Sequence, residues 1–193
     1  KKTRVVINVT SDKCYENINS NHDFVENDSM GGYDPYSSSK GCSELITSAF
    51  RNSFFNPKKF EEHGLALASV RAGNVIGGGD WAKDRLLPDI MQNLNENTII
   101  IRNPDAIRPW QYVLEPLNGY LLLVEKLWTD GKKYSEGWNF GPDKKDSKPV
   151  SYILEQISKI LNKKIEWEYD NENNLHESSI LTLNCTKAKN RLK

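Results

Sequence analysis

The sequence predicts an α/β fold built around a parallel sheet, and three segments in its first half lead to this prediction. Residues 5–9 (VVINV) and 65–71 (LALASVR) are mostly apolar and β-branched, which is typical of strands buried on both faces of a parallel sheet. Residues 36–55 lie between them and carry an apolar stripe at helical spacing. A strand, a helix and a strand in this order indicate a crossover connection between parallel neighbours.

Smaller elements are expected around and after these segments. The apolar stripe of the first helix consists of Leu45, Ile46, Ala49 and Phe50. Residues 15–35 are polar and rich in asparagine, and they are predicted to form a loop. Further helices are predicted over residues 84–95, 113–128 and 151–161, and short strands over 98–102, 138–140 and 165–169. The apolar residues of segment 120–128 are expected to lie in the core.

The composition argues against several classes of partner. The length of 193 residues suits one large domain or two small lobes. Since 26 basic residues balance 26 acidic ones, neither nucleic acid nor an anionic membrane is expected as a partner. The three cysteines are widely spaced and form neither a disulfide framework nor a zinc pattern, so a reducing cytoplasm is expected. The three histidines lack metal-ligand spacing, and no metal is expected.

Tyr36 and Lys40 form the first candidate for chemistry. A phenol and an ammonium group four residues apart lie on one face of a helix, one turn from each other. A phenol with a pKa of about 10 is a poor base at neutral pH, but a neighbouring cation favours the phenolate. The pair is therefore a compact way to make a base from tyrosine. The alternative is an exposed tyrosine and lysine on a polar helix surface.

Ser11, Asp12 and Lys13 follow the first predicted strand directly. Open α/β sheets bind ligands at the carboxyl ends of their strands. A hydroxyl, a carboxyl and an ammonium group in sequence can supply a hydrogen-bond donor, a general acid and a second acid or base. The alternative is a polar turn in which Asp12 caps the backbone that follows.

Residues 71–80 (RAGNVIGGGD) and two arginines suggest contacts to phosphate. Glycines at the end of a strand let the backbone approach a ligand, and Asn74 can anchor a loop or donate to a phosphate. Arg85 and Arg108 can make bidentate contacts to phosphate. The alternatives are a flexible glycine turn and surface salt bridges, and Trp110 is expected to be a core residue.

Taken together, these motifs resemble the extended short-chain dehydrogenase/reductase family, and within it the nucleotide-sugar 4,6-dehydratases. Lys13 stands where most such dehydratases have glutamate, which is similar to those members that act on CDP-glucose. The glycine run at 77–79, followed by Asp80 and Trp81, points the same way. The segments that carry the resemblance are residues 9–15, 36–40, 71–81, 84–89, 108–113 and 138–142.

The resemblance implies the architecture. Residues 1–76 would be the second, C-terminal half of a doubly wound NAD(P)-binding Rossmann-type sheet. Residues 77–193 would be mainly a smaller mixed α/β lobe for the nucleotide sugar, with some segments packing back on the Rossmann core. The family's phosphate-binding glycine motif is not in this sequence, which starts without methionine, so we expect a fragment. We expect residues 1–193 alone neither to bind NAD well nor to turn over substrate.

The resemblance also implies residue roles, with NAD as cofactor, CDP-glucose as substrate and a homodimer or higher homo-oligomer as the assembly. The family oxidises C4 of the sugar transiently, which makes the C5 proton acidic, and then eliminates the C6 hydroxyl. Tyr36 would be the base, Lys40 would hold the nicotinamide ribose, and Ser11 would donate to the C4 oxygen. Asp12 would protonate the departing hydroxyl, and Lys13 would help to remove the C5 proton. Further cofactor contacts are expected from Thr10 and Arg71, and substrate contacts from Asn74, Arg85, Leu87, Pro88, Arg108 and Tyr112.

Other functions remain open at this point. An epimerase or decarboxylase of the same family would share Tyr36 and Lys40 but would usually lack an acidic residue after the strand-end hydroxyl. A non-catalytic binding or regulatory protein, or a degenerate fragment, could keep the same fold.

Overall fold

The fold was analysed in a computed structural model that describes residues 3–17, 22–82, 85–94, 98–170 and 180–193. Short 3-10 turns lie at Asp12–Cys14, Pro57–Lys59 and Lys144–Asp146. The strands are β1 (Val5–Val9), β2 (Asp23–Phe24), β3 (Ala66–Ala72), β4 (Val75–Ile76), β5 (Ile99–Ile101), β6 (Ile107–Arg108), β7 (Gln111–Tyr112), β8 (Gly137–Phe140), β9 (Lys148–Pro149), β10 (Trp167–Tyr169) and β11 (Thr182–Leu183). The helices are α1 (Pro35–Ser53), α2 (Phe60–His63), α3 (Leu86–Asn93), α4 (Leu114–Thr129), α5 (Gly131–Tyr134), α6 (Val150–Ile160) and α7 (Thr186–Arg191).

The central sheet has the strand order β1-β3-β8, and all of its strand pairs are parallel. The register places Val5 opposite Ala66, and α1 forms the crossover between β1 and β3. The predicted α/β fold with a parallel sheet is therefore confirmed. Strand β8 and helix α7 follow residue 77 in the chain yet pack with this sheet.

Three hydrophobic cores hold the described residues together, and one of them gathers Cys14, Tyr15, Phe24, Leu181, Leu183 and Cys185. The largest core packs β3 and β8 against α4, α5 and α7, and its bulkiest member is the fully buried Trp138. The indole nitrogen of Trp138 donates to the carbonyl oxygen of Tyr134 at 3.0 Å, so its polar atom is satisfied. A second core forms where α3, β5 and α6 meet around Ile90, Ile99 and Leu154. Within the described residues, no helix is long and apolar enough to cross a membrane.

Strand β1 departs from the sequence-based prediction that both of its faces are buried. Val6 and Val9 are 36% and 57% exposed. Strand β1 lies at one end of the described central sheet, so β3 alone is its neighbour there. Asn8 of this strand donates to Ser43 and Thr47 of α1. β-Branched composition alone does not report whether a strand lies inside a sheet or at its edge.

Helix α1 buries its polar face and exposes its apolar stripe. Asp34 caps the helix by accepting from the backbone nitrogen of Ser37 at 3.0 Å, and Pro35 occupies the first turn, where proline is tolerated. The buried residues on its inner face are Ser37, Gly41, Glu44 and Thr47, whereas Leu45, Ile46, Ala49 and Phe50 are exposed. Glycine and short polar side chains on the inner face let the helix lie close to the sheet.

Helix α4 shows a similar mismatch over residues 120–128, which were expected to be core. Leu123 and Leu127 are buried, but Leu121 and Trp128 are 69% and 55% exposed. A helix with 3.6 residues per turn turns only one stripe towards a single neighbouring layer, so a continuous apolar run cannot be buried on all sides there. The prediction that the whole run is core was wrong.

Candidate active site

The segment after β1 forms the buried centre of the site. Ser11 caps the 3-10 turn Asp12–Cys14 by accepting from the backbone nitrogen of Lys13 at 3.2 Å. The Ser11 hydroxyl donates to Oδ1 of Asp12 at 3.1 Å. Ser11 and Asp12 are only 7% and 5% exposed, whereas Lys13 is exposed. The strand therefore ends by directing a hydroxyl and a carboxyl group inward and an ammonium group towards solvent.

Asp12 is an unusual carboxyl group. Burial raises its pKa to about 6, against the opposing effects of the Ser11 hydrogen bond and the charges of Lys13 and Arg108. Its Oδ2 atom is buried without a hydrogen-bond partner among the described residues. A buried carboxyl group with an unused oxygen is suited to giving a proton to a ligand that supplies the missing contact.

Gly73 leaves the space in which this carboxyl group lies. A Cβ atom at Gly73 would stand 2.8 Å from Oδ2 of Asp12 and 2.4 Å from Cγ of Pro109. Both distances are shorter than real Cβ contacts. Gly73 thus lets the loop that follows Arg108 approach the carboxyl group of Asp12.

Tyr36 and Lys40 lie in the first turns of α1, as predicted. The ammonium nitrogen of Lys40 is 5.5 Å from the ring centroid of Tyr36, and Tyr36 is 53% exposed. Gly41, the next residue, brings this part of the helix against the turn that carries Asp12. A Cβ atom at Gly41 would stand 3.3 Å from the carbonyl oxygen of Cys14. The tertiary structure therefore joins the two segments that the sequence singled out separately.

Arg71, which was predicted to contact the cofactor, is surrounded by protein groups in the described structure. Its guanidinium group is 4% exposed and forms an ion pair with Glu44 at 2.7 Å. Its Nη1 donates to the hydroxyl of Tyr15 at 2.6 Å and to the carbonyl oxygen of Glu26 at 3.0 Å. Because both terminal nitrogens are engaged by protein groups, Arg71 holds α1 against the sheet, and its contact to the cofactor stays a prediction.

Thr10 likewise uses its hydroxyl within the protein. The hydroxyl donates to Oε1 of Glu44 at 2.5 Å and lies 3.3 Å from the carbonyl oxygen of Val70. Burial alone would raise the pKa of Glu44, but the hydrogen bond and charge of Arg71, with the hydroxyls of Ser69 and Thr10, hold that pKa below its ordinary value. Glu44 is therefore a buried, ionised centre that sequence reasoning missed, although its spacing of four from Lys40 was visible.

Asn74, Arg108 and Tyr112 reach the site through the pairing of β4 with β7. Strand β4 follows Asn74, and the backbone nitrogen of Gln111 donates to the carbonyl oxygen of Asn74 at 3.0 Å. Arg108 is 4% exposed, and its charge is felt by Asp12. Tyr112 is 57% exposed. The pairing brings the Asn74 and Arg108 loops together beside Gly73, although 34 positions separate them in the sequence.

Arg85, Leu87 and Pro88 belong to a different part of the fold. Arg85 is exposed and lies 3.6 Å from a carboxylate oxygen of Asp80. Leu87 packs against the second core, and Pro88 is buried within α3. The described contacts do not bring these three residues next to Asp12. Trp110 is half-buried, and its indole nitrogen donates to the carbonyl oxygen of Lys148 at 3.0 Å, so it is only partly the core residue expected.

Tyr120 is a further neighbour of Asp12 that sequence reasoning missed. Burial, followed by the charge of Asp12, raises the pKa of Tyr120 to about 12. Its ring packs edge-on against Phe140 at a centroid distance of 5.2 Å. The only sequence signal was its place within an apolar helix, which gives no hint of an acidic neighbour. Tyr120 thus lies near Asp12 in a buried region that disfavours the charged form of both groups.

Comparison with known proteins identifies a family for this chain and a similar protein. Residues 1–137 match the family model described as the NAD dependent epimerase/dehydratase family. A CDP-glucose 4,6-dehydratase of Salmonella typhimurium is 56% identical over 190 residues, which make up 98% of this chain and 53% of that protein. The chain thus spans about half the length of this relative. The resemblance to nucleotide-sugar 4,6-dehydratases, stated from the motifs, is confirmed.

Solved structures share the fold at low sequence identity. UDP-glucuronic acid 4-epimerase from Bacillus cereus, solved with UDP-glucuronic acid and NAD, has a TM-score of 0.82 and 16% identity, covering 100% of this chain and 56% of that one. dTDP-glucose 4,6-dehydratase from Bacillus anthracis, solved with NAD, has a TM-score of 0.73 and 22% identity, covering 95% and 54%. Such likeness shows the fold alone, and it confirms the predicted Rossmann-type class. Because the family model matches residues 1–137 of the 193, the chain belongs to the NAD dependent epimerase/dehydratase family.

Proposed function

We propose that this chain is part of a nucleotide-sugar 4,6-dehydratase that converts CDP-D-glucose to CDP-4-dehydro-6-deoxy-D-glucose. The observation that carries the proposal is Asp12, a buried carboxyl group with a raised pKa and an unused oxygen, on a turn that packs against the helix of the Tyr36–Lys40 pair. An epimerase needs no such acid, since it returns hydride to the carbon from which it came. The identity of 56% to a CDP-glucose 4,6-dehydratase supports the substrate.

The oxidation half of the reaction needs a base at C4. Tyr36 is exposed enough to reach a sugar hydroxyl, and the ammonium nitrogen of Lys40 lies 5.5 Å from its ring centroid, one helical turn away. Ser11 would donate to the C4 oxygen in place of its present bond to Asp12. Bound NAD would take up hydride at C4 and give it back at C6.

The elimination half needs an acid at C6. With a pKa of about 6, roughly a tenth of Asp12 carries a proton at pH 7, enough for a group that must give its proton in one step. Exclusion of water by the sugar would raise this fraction. Lys13 is exposed beside Asp12 and would help to remove the C5 proton.

The residues present fit part of an NAD site. Tyr36 and Lys40 lie at the carboxyl end of the parallel sheet, where Rossmann-type folds bind dinucleotides, and Lys40 would hold the nicotinamide ribose. Thr10 and Arg71 face protein partners and are left out of the proposal. Since the family's phosphate-binding glycine motif is not among residues 1–193, we propose that these residues by themselves show no appreciable turnover.

Substrate contacts are proposed for residues of both loops and of α3. Asn74 and Arg108 would hold the diphosphate with Tyr112 nearby, because β4–β7 pairing brings their loops beside Asp12. Arg85 and Leu87 would lie towards the base, at the edge formed by α3. The buried Pro88 would shape α3 rather than touch the nucleotide.

A homodimer in the cytoplasm is the assembly and location that we propose. The exposed stripe of α1, which includes Leu45, Ile46 and Phe50, offers an apolar surface for a second copy. The three cysteines are free, which suits a reducing compartment. Sedimentation of wild type and of a variant with Ile46→Glu would test the dimer, because a charge in the stripe should shift the population to monomer.

Product analysis tests the function. The protein is expressed from its complete reading frame and incubated with CDP-glucose or UDP-glucose, and its products are analysed by mass spectrometry and by NMR spectroscopy. A product of CDP-glucose that is lighter by one water supports the dehydratase. A product of unchanged mass with inverted C4 would establish the epimerase, and unchanged substrate would favour the non-catalytic alternative.

A further inference from the structure

We propose that Glu44 is a positioning residue that fixes the Tyr36–Lys40 pair relative to the Ser11–Asp12 turn. The inference rests on the proposed function, which assigns the base to one pair and the acid to the other. Tyr36, Lys40 and Glu44 follow one another at spacings of four, so they share one face of α1. The first two face the site, whereas Glu44 is 4% exposed and points into the fold.

One carboxylate joins the helix to both strands. Oε1 of Glu44 accepts from the hydroxyl of Thr10 at 2.5 Å, and Thr10 directly precedes Ser11. Oε2 accepts from the hydroxyl of Ser69 at 2.6 Å and from Nη2 of Arg71 at 2.7 Å. The helix with the proposed base and the strand end with the proposed acid are therefore tied to the same group.

The network also reaches the far side of the turn Asp12–Cys14, which is called the acid turn below because it carries Asp12. Arg71, paired with Glu44, donates from Nη1 to the hydroxyl of Tyr15 at 2.6 Å. Tyr15 directly follows the turn Asp12–Cys14, and its hydroxyl donates a hydrogen bond to Oδ1 of Asn139 on β8 at 2.6 Å. Thr10 and Tyr15 flank residues 11–14 in sequence. Glu44 thus holds the acid turn at both of its ends. At one end it bonds directly to Thr10, and at the other end it acts through Arg71, which bonds to Tyr15.

A second link between α1 and the sheet provides the comparison. Thr47 accepts from Nδ2 of Asn8 at 2.7 Å and is 6% exposed. It lies about one turn further along the same helix, away from Tyr36, and its partner lies inside β1 rather than next to Ser11. Removing the Thr47 hydroxyl weakens the attachment of α1 to the sheet without touching the acid turn.

The test compares Glu44→Asp with Thr47→Val in the protein expressed from its complete reading frame. Aspartate keeps the charge opposite Arg71 but withdraws the carboxylate by one methylene, so it cannot reach all three donors. We expect kcat per folded, NAD-loaded site to fall about tenfold to a hundredfold, as for a displacement of about 1 Å. KM for CDP-glucose should change less than threefold, because the diphosphate contacts lie on other loops. Thr47→Val should lower Tm while leaving kcat within about twofold.

Each outcome bears on the inference. Wild-type kcat in Glu44→Asp, or an equal loss of kcat in Thr47→Val, would overturn it, because Glu44 would then act only through stability. If wild type itself does not dehydrate CDP-glucose, the proposed function fails. The positioning inference is still decided, by crystal structures of wild type and Glu44→Asp. An unchanged separation between the Tyr36 hydroxyl and the Asp12 carboxyl group would refute it.

Discussion

Replacement of Asp12 by asparagine should remove a loss of stability that wild type suffers as the pH rises, and it should also remove elimination. In the fold the pKa of this carboxyl group is raised from 3.8 to about 6, mainly by burial. A difference of about two pKa units corresponds to about 3 kcal/mol. Because the folded pKa is the higher one, this stabilising contribution is fully present below about pH 4 and is lost as the pH rises through about 6.

Asparagine stays neutral at every pH. The free energy of unfolding of the Asp12→Asn variant therefore does not fall for this reason as the pH rises. Its amide nitrogen would replace an oxygen that has no partner among the described residues, which adds a fixed penalty of about 1–3 kcal/mol. The penalty does not change with pH. The free energy of unfolding of the variant minus that of wild type should therefore increase by about 2 kcal/mol between pH 4 and pH 8.

Urea unfolding of both proteins at several pH values measures this difference. Asp105→Asn is the control, because it makes the same substitution at an exposed turn residue. In the same Asp12 variant, CDP-glucose should still be oxidised, and bound reduced cofactor should accumulate since the C6 hydroxyl is not protonated. Parallel pH curves for wild type and variant, or elimination at the wild-type rate, would refute the reasoning about Asp12.

Three other substitutions give sharp expectations. Tyr36→Phe should abolish oxidation, measured as reduced-cofactor absorbance. It should change the free energy of unfolding by less than about 0.5 kcal/mol, because the side chain is half exposed. A loss of stability with activity retained would contradict the assignment. Gly73→Ala places a Cβ 2.4 Å from Cγ of Pro109 and 2.8 Å from Oδ2 of Asp12. It should cost about 1–3 kcal/mol by urea unfolding and slow elimination more than oxidation, whereas equal slowing of both steps would speak against a specific effect on the acid. Arg71→Met leaves a buried carboxylate unpaired and should cost about 3–5 kcal/mol, and a small cost would show that water replaces the guanidinium group.

Some of the candidate site was predictable because its chemistry depends on short-range spacing. Tyr36 and Lys40 are one helical turn apart in any helix, and Ser11 and Asp12 follow a strand in any parallel sheet. The order of strand, helix and strand likewise predicts a parallel crossover without knowledge of distant contacts. These features are local, so composition and periodicity carry them, and the structure places the residues as expected.

The sequence by itself therefore determined the fold class, the catalytic candidates and the family that the chain resembles. Only the tertiary structure decided which faces are buried and which polar groups meet. It exposed the apolar stripe of α1, paired Arg71 with Glu44, and gave Asp12 its raised pKa. Burial and pairing depend on residues far apart in the chain, since Arg71 and Glu44 are 27 positions apart and Tyr15 and Asn139 are 124 apart. The spacing of residues along one element cannot encode such contacts, because the neighbour that buries a face comes from another element.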